Sequence, residues 1–416
     1  MKVAVLGAGI TGVTSAYFLA KKGFEVTVFD RQPLAAEETS FANGGQISVT
    51  QAFPWNSPDL PGKLVKWLGR DDAPLVFRLR NDPHMWRWGL KFLLNARRKT
   101  FYESAGRVLR LGLHSRDCLH QVIADENIDY DRQARGILKV FNTQEEWDDM
   151  AARTQWLNDQ GVAQKMLTRE ECMEAEPALA AATSSFIGGA KSDIDESGDA
   201  HSFTLALEAA AKRLGVSFVY NATIDHLTEE AGRVKSVTVN GKPLAFDQYV
   251  MSLGSFSYFL GKKLGLHIPI YPVKGYSVTV PIEGTNAAPM MSLTDESQHV
   301  VISRFGDRLR AAGTAEMNGY EAAPNKRRED MVLDSVFGLF PHAGNREKAE
   351  RWCGLRPMSV DSTPIIGKTR FDNLFLNTGH GPLGWTLSCG SADLLSQIMS
   401  GEKTNLDIQD YSLDRF

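Results

Sequence analysis

Residues 2–30 read KVAVLGAGITGVTSAYFLAKKGFEVTVFD, and this stretch decides the fold. The apolar run before Gly7 predicts a buried strand, and Gly7-Ala8-Gly9-Ile10-Thr11-Gly12 predicts a tight turn. Apolar Val13, Ala16, Tyr17, Leu19 and Ala20 predict a helix that Gly23 closes, and EVTVF predicts a second strand ending at Asp30. A strand, glycine turn, helix and strand in this order form the unit that grips dinucleotides. Gly7 permits the turn, Gly9 lets a pyrophosphate approach the backbone, and Gly12 with Ala16 lets the helix lie close on the strand. The helix start at Ile10 and Thr11 offers free N–H groups and the positive dipole end to phosphates. Asp30 sits where a carboxylate accepts hydrogen bonds from ribose hydroxyls. A basic start and an apolar middle also outline a secretory leader, but the spaced glycines and the following strand fit a folded unit.

The next segment, ETSFANGGQIS at 38–48, is dense in small polar residues: Thr39, Ser40, Asn43, Gly44, Gly45 and Gln46. A loop directly after the ribose strand, beginning near Arg31, can run along the rest of the ligand. FAD, with its ribityl chain and flavin, makes better use of that second polar patch than NAD; a bare surface turn is the other reading.

The far end of the chain repeats the theme. NTGHGPLGWTLSCGSA, residues 377–392, carries Gly379, His380, Gly381, Leu383, Gly384, Trp385 and Thr386 ahead of a helical run. A helix N-terminus there would stabilise negative charge arising on a flavin ring, while the N-terminal turn holds the adenosine end. The competing reading is a second, unrelated turn.

Composition bounds the rest. At 416 residues, two or three domains are expected, and 43% hydrophobic residues with a net charge of −4 give nucleic acid no support as a partner. Cys118, Cys172, Cys353 and Cys389 are scattered without CxxC spacing, so reduced thiols are expected and neither disulfides nor a metal site. No apolar run approaches the ~20 residues needed to span a bilayer, so a cytoplasmic chain is expected. From Lys63 to Lys99 ten Lys/Arg face three Asp, interleaved with Trp67, Phe77, Trp86, Trp88 and Phe92. Basic and aromatic residues on short helices suit a non-spanning membrane surface at 63–99, or a docking face for another subunit.

The fold class expected is α/β plus α+β: a Rossmann-type FAD-binding domain assembled from discontinuous segments, with an antiparallel-sheet substrate domain. The expected segments are FAD-binding at 1–55, 166–262 and 347–416, a substrate- or membrane-facing helical part at 56–165, and the antiparallel sheet at 263–346. Thr168 with Glu171 predicts a capping box. Alternation at Tyr276, Val278, Val280 and at Val301, Ser303, Phe305 predicts strands with one buried face. A strand near residue 250 rejoins the nucleotide sheet, and Ile224, Ser252 and Gly254 complete the expected cofactor contacts.

Together, VLGAGITGVTSAYFLAKKG, ETSFANGGQIS, PVKGYSVT, GLRPMSVDSTPIIG and NTGHGPLGWTLSCGSA resemble the D-amino acid oxidase/glycine oxidase flavoprotein family, and in it the D-amino acid dehydrogenase branch. The resemblance runs from residue 1 to about 410. It implies non-covalent FAD, oxidative deamination of an amino acid, electron delivery to a quinone or another non-oxygen acceptor, and peripheral contact with the inner membrane at its cytoplasmic face. It departs at Pro382, where Thr is expected. Proline has no N–H, so a backbone contact to the flavin would come from Leu383 or Gly384.

A substrate carboxylate needs a cationic partner, and Arg356 in GLRP is the candidate that both bidentate geometry and the resemblance favour. Arg304, Arg308 and Arg310 compete but fall in an alternating strand. His380 could accept a proton or bond the flavin, and Tyr271 and Tyr276 could offer hydroxyls to the carboxylate or be core aromatics. No residue stands out as a base. Rival activities are an imino acid dehydrogenase for D-proline or a hydroxyproline, an oxidase of the same fold using O₂, and a flavin-holding subunit without catalysis.

Overall fold

The computed structural model describes residues 1–67, 69–71, 73–284 and 287–416, with the side chains of all of these except Val65 and Trp67. The opening stretch folds as expected: strand Lys2–Leu6, helix Ile10–Lys21, strand Glu25–Phe29. These two strands sit inside a six-stranded sheet whose order is 365–368, 374–378, 248–251, 2–6, 25–29, 217–219. All neighbours run parallel except the first pair. Residues 3–6 of the first strand are all apolar because both its faces are covered. Val3 and Val5 pack with Val13, Ala16 and Tyr17 of the first helix, while Ala4 and Leu6 pack against Leu227, Val234 and Val237 of a three-stranded antiparallel sheet.

The second body is a nine-stranded sheet in the order 350–359, 270–281, 308–317, 300–305, 292–295, 137–141, 188–192, 165–168, with 75–77 paired to 308–317. Tyr276, Val278 and Val280 do share a face, packed under Val332, Leu333 and Val336 of helix Lys326–Leu339. The opposite face is not open to solvent, contrary to the single-face expectation. Strand 270–281 is buried on both sides, and Val301, Ser303 and Phe305 meet the glycine loop at 43–45. The capping box forms, with Thr168 N–H donating to Glu171 at 2.7 Å.

Sheet membership divides the chain differently from the expected segments. Strand Gly188–Ser192 belongs to the large sheet although 166–262 was assigned to FAD binding, and Glu350–Ser359 pairs with Ile270–Pro281 although 347–416 was. Strands of a shared sheet arrive from distant parts of the chain, and alternation alone does not say which sheet they join.

Candidate active site

Between the two sheets runs one cavity of about 610 Å³. At one end lie Gly7, Gly9, Ile10, Thr11, Asp30 and Arg31; at the other lie Gly379, His380, Gly381, Leu383, Gly384, Trp385 and Thr386. Thr39, Ser40, Asn43, Gly44, Gly45 and Gln46 line the run between them, with Ile224, Ser252 and Gly254. Gly12 does not line it. A Cβ there would stand 1.9 Å from the Gly7 carbonyl oxygen, so Gly12 serves the turn by letting helix and strand touch.

The turn is built to leave space and donors. Gly7 has φ +107°, and a Cβ on it would meet the Ser252 carbonyl oxygen at 2.5 Å. Neither helix 10–21 nor helix 384–400 is capped by its own N-cap side chain; Ile10 N–H donates to Ser40 Oγ at 3.0 Å, while Thr11 and Gly384, also in the first turns, line the cavity. Asp30 accepts from Ala8 N–H at 2.6 Å and Gln32 N–H at 2.8 Å, which fixes its carboxylate beside the glycine turn. Ser252 Oγ and Thr314 Oγ1 are buried without a protein partner and belong to residues lining the cavity. Two helix starts, a glycine cradle and orphaned hydroxyls fit a long dinucleotide such as FAD.

The two chain ends are stitched together here. Ser48 N–H donates to Thr386 Oγ1 at 3.1 Å, and Trp385 Nε1 donates to the Gly198 carbonyl at 3.2 Å. Asp195, fully buried, accepts from Ser48 Oγ at 2.9 Å, from Val49 N–H at 2.8 Å and from Thr50. Sequence reading passed over Asp195 as part of a polar loop, because its partners lie some 145 residues away. In the turn 379–384, Leu383 N–H is spent on the His380 carbonyl at 3.1 Å, so of the two donors expected beside Pro382 only Gly384 is left.

Arg356 projects from strand 350–359 over Gly275, where a Cβ would stand 2.2 Å from its guanidinium carbon. Its Nη1 donates to the Thr314 carbonyl at 3.0 Å, and the Trp55 ring lies 5.8 Å away. Among the described residues no carboxylate pairs with it. Burial alone lowers its pKa to about 10, with no anion opposing. The rival arginines are committed elsewhere and none lines the cavity: Arg310 to Thr279 and Asp199, Arg308 to Asp131 and Asp199, Arg304 to the Gly306 carbonyl.

Three expectations change. Tyr271 lies outside the cavity, its hydroxyl donating to Asp82 at 2.8 Å among Trp88 and His84. Tyr276 borders the cavity, but its side chain packs under helix 326–339 and its hydroxyl donates to Glu316, which also pairs with Lys274 and Arg78. His380 is buried, and burial holds its pKa down at about 3. Ser391 Oγ already donates to the Ser388 carbonyl, so the ring donates from Nε2 to Ser391 at 3.1 Å. This neutral imidazole ties the turn to the helix. Thr314, Trp55 and Gly275 were not anticipated; only the glycine in PVKG carried a signal, an unsubstituted site inside an apolar strand.

A family model described as "FAD dependent oxidoreductase" matches residues 2–398. The chain is 46% identical over 417 residues to a D-amino acid dehydrogenase of Paramagnetospirillum magneticum, covering 100% of this chain and 99% of the relative. It is 44% identical to a D-amino acid dehydrogenase of Agrobacterium fabrum, with 100% of both covered. Among solved structures it resembles glycine oxidase from Geobacillus kaustophilus (TM-score 0.80, 22% identity, 100% and 98% covered) and L-proline dehydrogenase from P. horikoshii (TM-score 0.77, 19% identity, 100% and 97% covered).

Proposed function

This chain belongs to the FAD-dependent oxidoreductase family, and on that premise we propose how its residues divide the work of an FAD-dependent D-amino acid dehydrogenase. Its reaction is the oxidative deamination of D-amino acids. FAD, once bound, supplies the electron sink that draws two electrons from the substrate α-carbon. Arg356 takes the substrate carboxylate. The observation that carries this role is a buried guanidinium, braced by the Thr314 carbonyl and facing no anion among the described residues. A carboxylate brought there restores the missing counter-charge through two parallel hydrogen bonds.

No protein base is assigned. His380 is held neutral and Tyr276 is bonded to Glu316, so the ammonium proton leaves to solvent. Arg356 assists by lowering the ammonium pKa through like-charge proximity. The N–H groups at the start of helix 384–400 face the reducing end of the cavity and favour negative charge there.

The electron acceptor we propose is a quinone reached at a membrane surface. Among the described residues no helix is long and apolar enough to cross a membrane. Helix Pro83–Leu94 buries Met85, Trp88 and Phe92 but exposes Trp86 (55%), Leu90 (62%) and Leu94 (53%), with Leu79 (73%) beside them. Of the aromatic residues anticipated at this surface, only Trp86 is exposed, the leucines carry the rest, and the Trp67 side chain lies outside the described residues. Arg87 and Lys91 on the same helix suit contact with anionic lipid at the cytoplasmic face.

Dye-coupled turnover against oxygen uptake tests the reading. D-amino acids should reduce an artificial acceptor while oxygen consumption stays near background, and vigorous peroxide production would place the chain with the oxidases instead. Arg356→Ala should stay yellow while kcat/KM falls about 10²–10³-fold, the loss of a charged double hydrogen bond.

A further inference from the structure

Helix Arg98–Glu126 and helix Gly384–Ser400 approach so closely that a methyl group on Gly390 would stand 2.7 Å from the Ser115 backbone. Beside that contact three side chains converge that the catalytic cavity does not use. His114 Nε2 stands 2.9 Å from Asp393 Oδ2 and 3.6 Å from Cys118 Sγ, and all three atoms lie within 4.8 Å of one another. The i,i+4 spacing of His114 and Cys118 sets both on one face of the long helix. Gln397 Nε2 donates to the same Asp393 oxygen at 2.7 Å.

Hydrogen bonding alone leaves this cluster short of one partner. Both neighbours approach the same ring nitrogen. If Nε2 carries the hydrogen and donates to Asp393, it has no lone pair for the thiol. If it accepts from the thiol, it has no hydrogen for the carboxylate. A proton-relay triad would engage both ring nitrogens, and here neither contact involves Nδ1. A cation seated between the three atoms satisfies all of them at once.

The dimensions agree. Zinc bonds of about 2.3 Å to sulfur and about 2.0 Å to nitrogen or oxygen, at tetrahedral angles, imply an N···S edge of about 3.5 Å and an N···O edge of about 3.3 Å. The observed edges are 3.6 Å and 2.9 Å, so the carboxylate has to withdraw from the imidazole by about 0.4 Å, and the S···O edge, which lies within 4.8 Å, has to come to about 3.5 Å. His114 and Asp393 keep side-chain exposures of 17% and 16%, which leaves a path from solvent and room for a water as fourth ligand. Imidazole, thiolate and carboxylate together favour zinc among common divalent ions. The sequence hides the set because its members are separated by some 280 residues.

We propose that His114, Cys118 and Asp393 form a binding site for a divalent transition-metal ion, zinc matching best. The ion clamps the long helix to the helix whose N-terminus faces the cavity.

The FAD-loaded chain, stripped with chelator and dialysed against micromolar zinc chloride, should retain about one zinc per chain by elemental analysis. Cys353→Ser, on a remote strand, should retain the same amount. Cys118→Ser and Asp393→Asn should each lose it while staying yellow. Zinc should raise the Tm of the wild-type chain and leave both variants unmoved. Cys118→Ser separates the readings, since serine keeps a hydrogen-bonding brace but makes a poor zinc ligand. Should either variant emerge colourless, the wild-type Tm with and without zinc decides. No zinc-dependent shift, or zinc retention that survives Cys118→Ser, overturns the site.

Discussion

Arg356 owes its position to a missing side chain. It lies across Gly275 on the neighbouring strand, and any Cβ there would occupy the guanidinium. Gly275→Ala should therefore push the arginine off its perch and raise KM at least tenfold, with FAD content unchanged; steady-state kinetics beside the visible spectrum would check it. Asp295 gives a prediction of another kind. Burial raises its pKa to about 6, so the folded chain holds that proton more tightly than the unfolded chain, where the ordinary value is 3.8. Its contribution to stability falls as pH climbs through that window, and the penalty is fully present above about pH 7. Asp295→Asn should gain ~1–3 kcal/mol at pH 8 and nothing near pH 3.5, measured by urea unfolding at the two pH values. At this scale the placement of Asp30 and Arg356 beside one cavity was legible in the sequence, because chemistry restricts which residue types suit a ribose or a carboxylate. Tyr271, Tyr276 and His380 were not. Their roles turn on partners at Asp82, Glu316 and Ser391, which only folding brings near.

Two helix starts border the one cavity at the scale of elements. The first is the more exacting, since Gly7 combines φ +107° with a carbonyl oxygen 2.5 Å from where a Cβ would be. Gly7→Ala should yield a folded but largely colourless chain, and the flavin-to-protein absorbance ratio would show it. Helix 83–94 carries a separate expectation. Leu90→Glu should weaken sedimentation with anionic vesicles while leaving dye-coupled turnover intact; equal sedimentation would move the membrane contact elsewhere. Helices and strands of the opening unit could be read directly, because glycine punctuation and apolar period agree there. Strand 350–359 could not be assigned, since a run such as RWCGLRPMS fits the edge of either sheet.

For the whole molecule, the governing fact is that its two ends meet. Residues 46–48 and 386 exchange hydrogen bonds across 340 positions, and the strands of both sheets are drawn from the full length of the chain. Such a fold forms mainly non-local contacts, so cutting the chain anywhere in the middle would separate halves of one cofactor site. Repetition of glycine turns at both termini made this closure readable in advance. The Asp195 brace and the divided membership of the large sheet were not, because each depends on register between segments that carry no shared motif.

Anaerobic reduction of the bound flavin tests the central claim most directly, that a cavity closed by both chain ends lets Arg356 present a D-amino acid to FAD. Mixing the yellow wild-type chain with D- and L-amino acids in the absence of oxygen, and repeating this with Arg356→Ala, gives the comparison. Rapid loss of the 450 nm band with D-enantiomers, and in the variant only at concentrations about a hundredfold higher, is expected. Bleaching of the variant at wild-type concentrations, or no bleaching of the wild type by any amino acid, would contradict it.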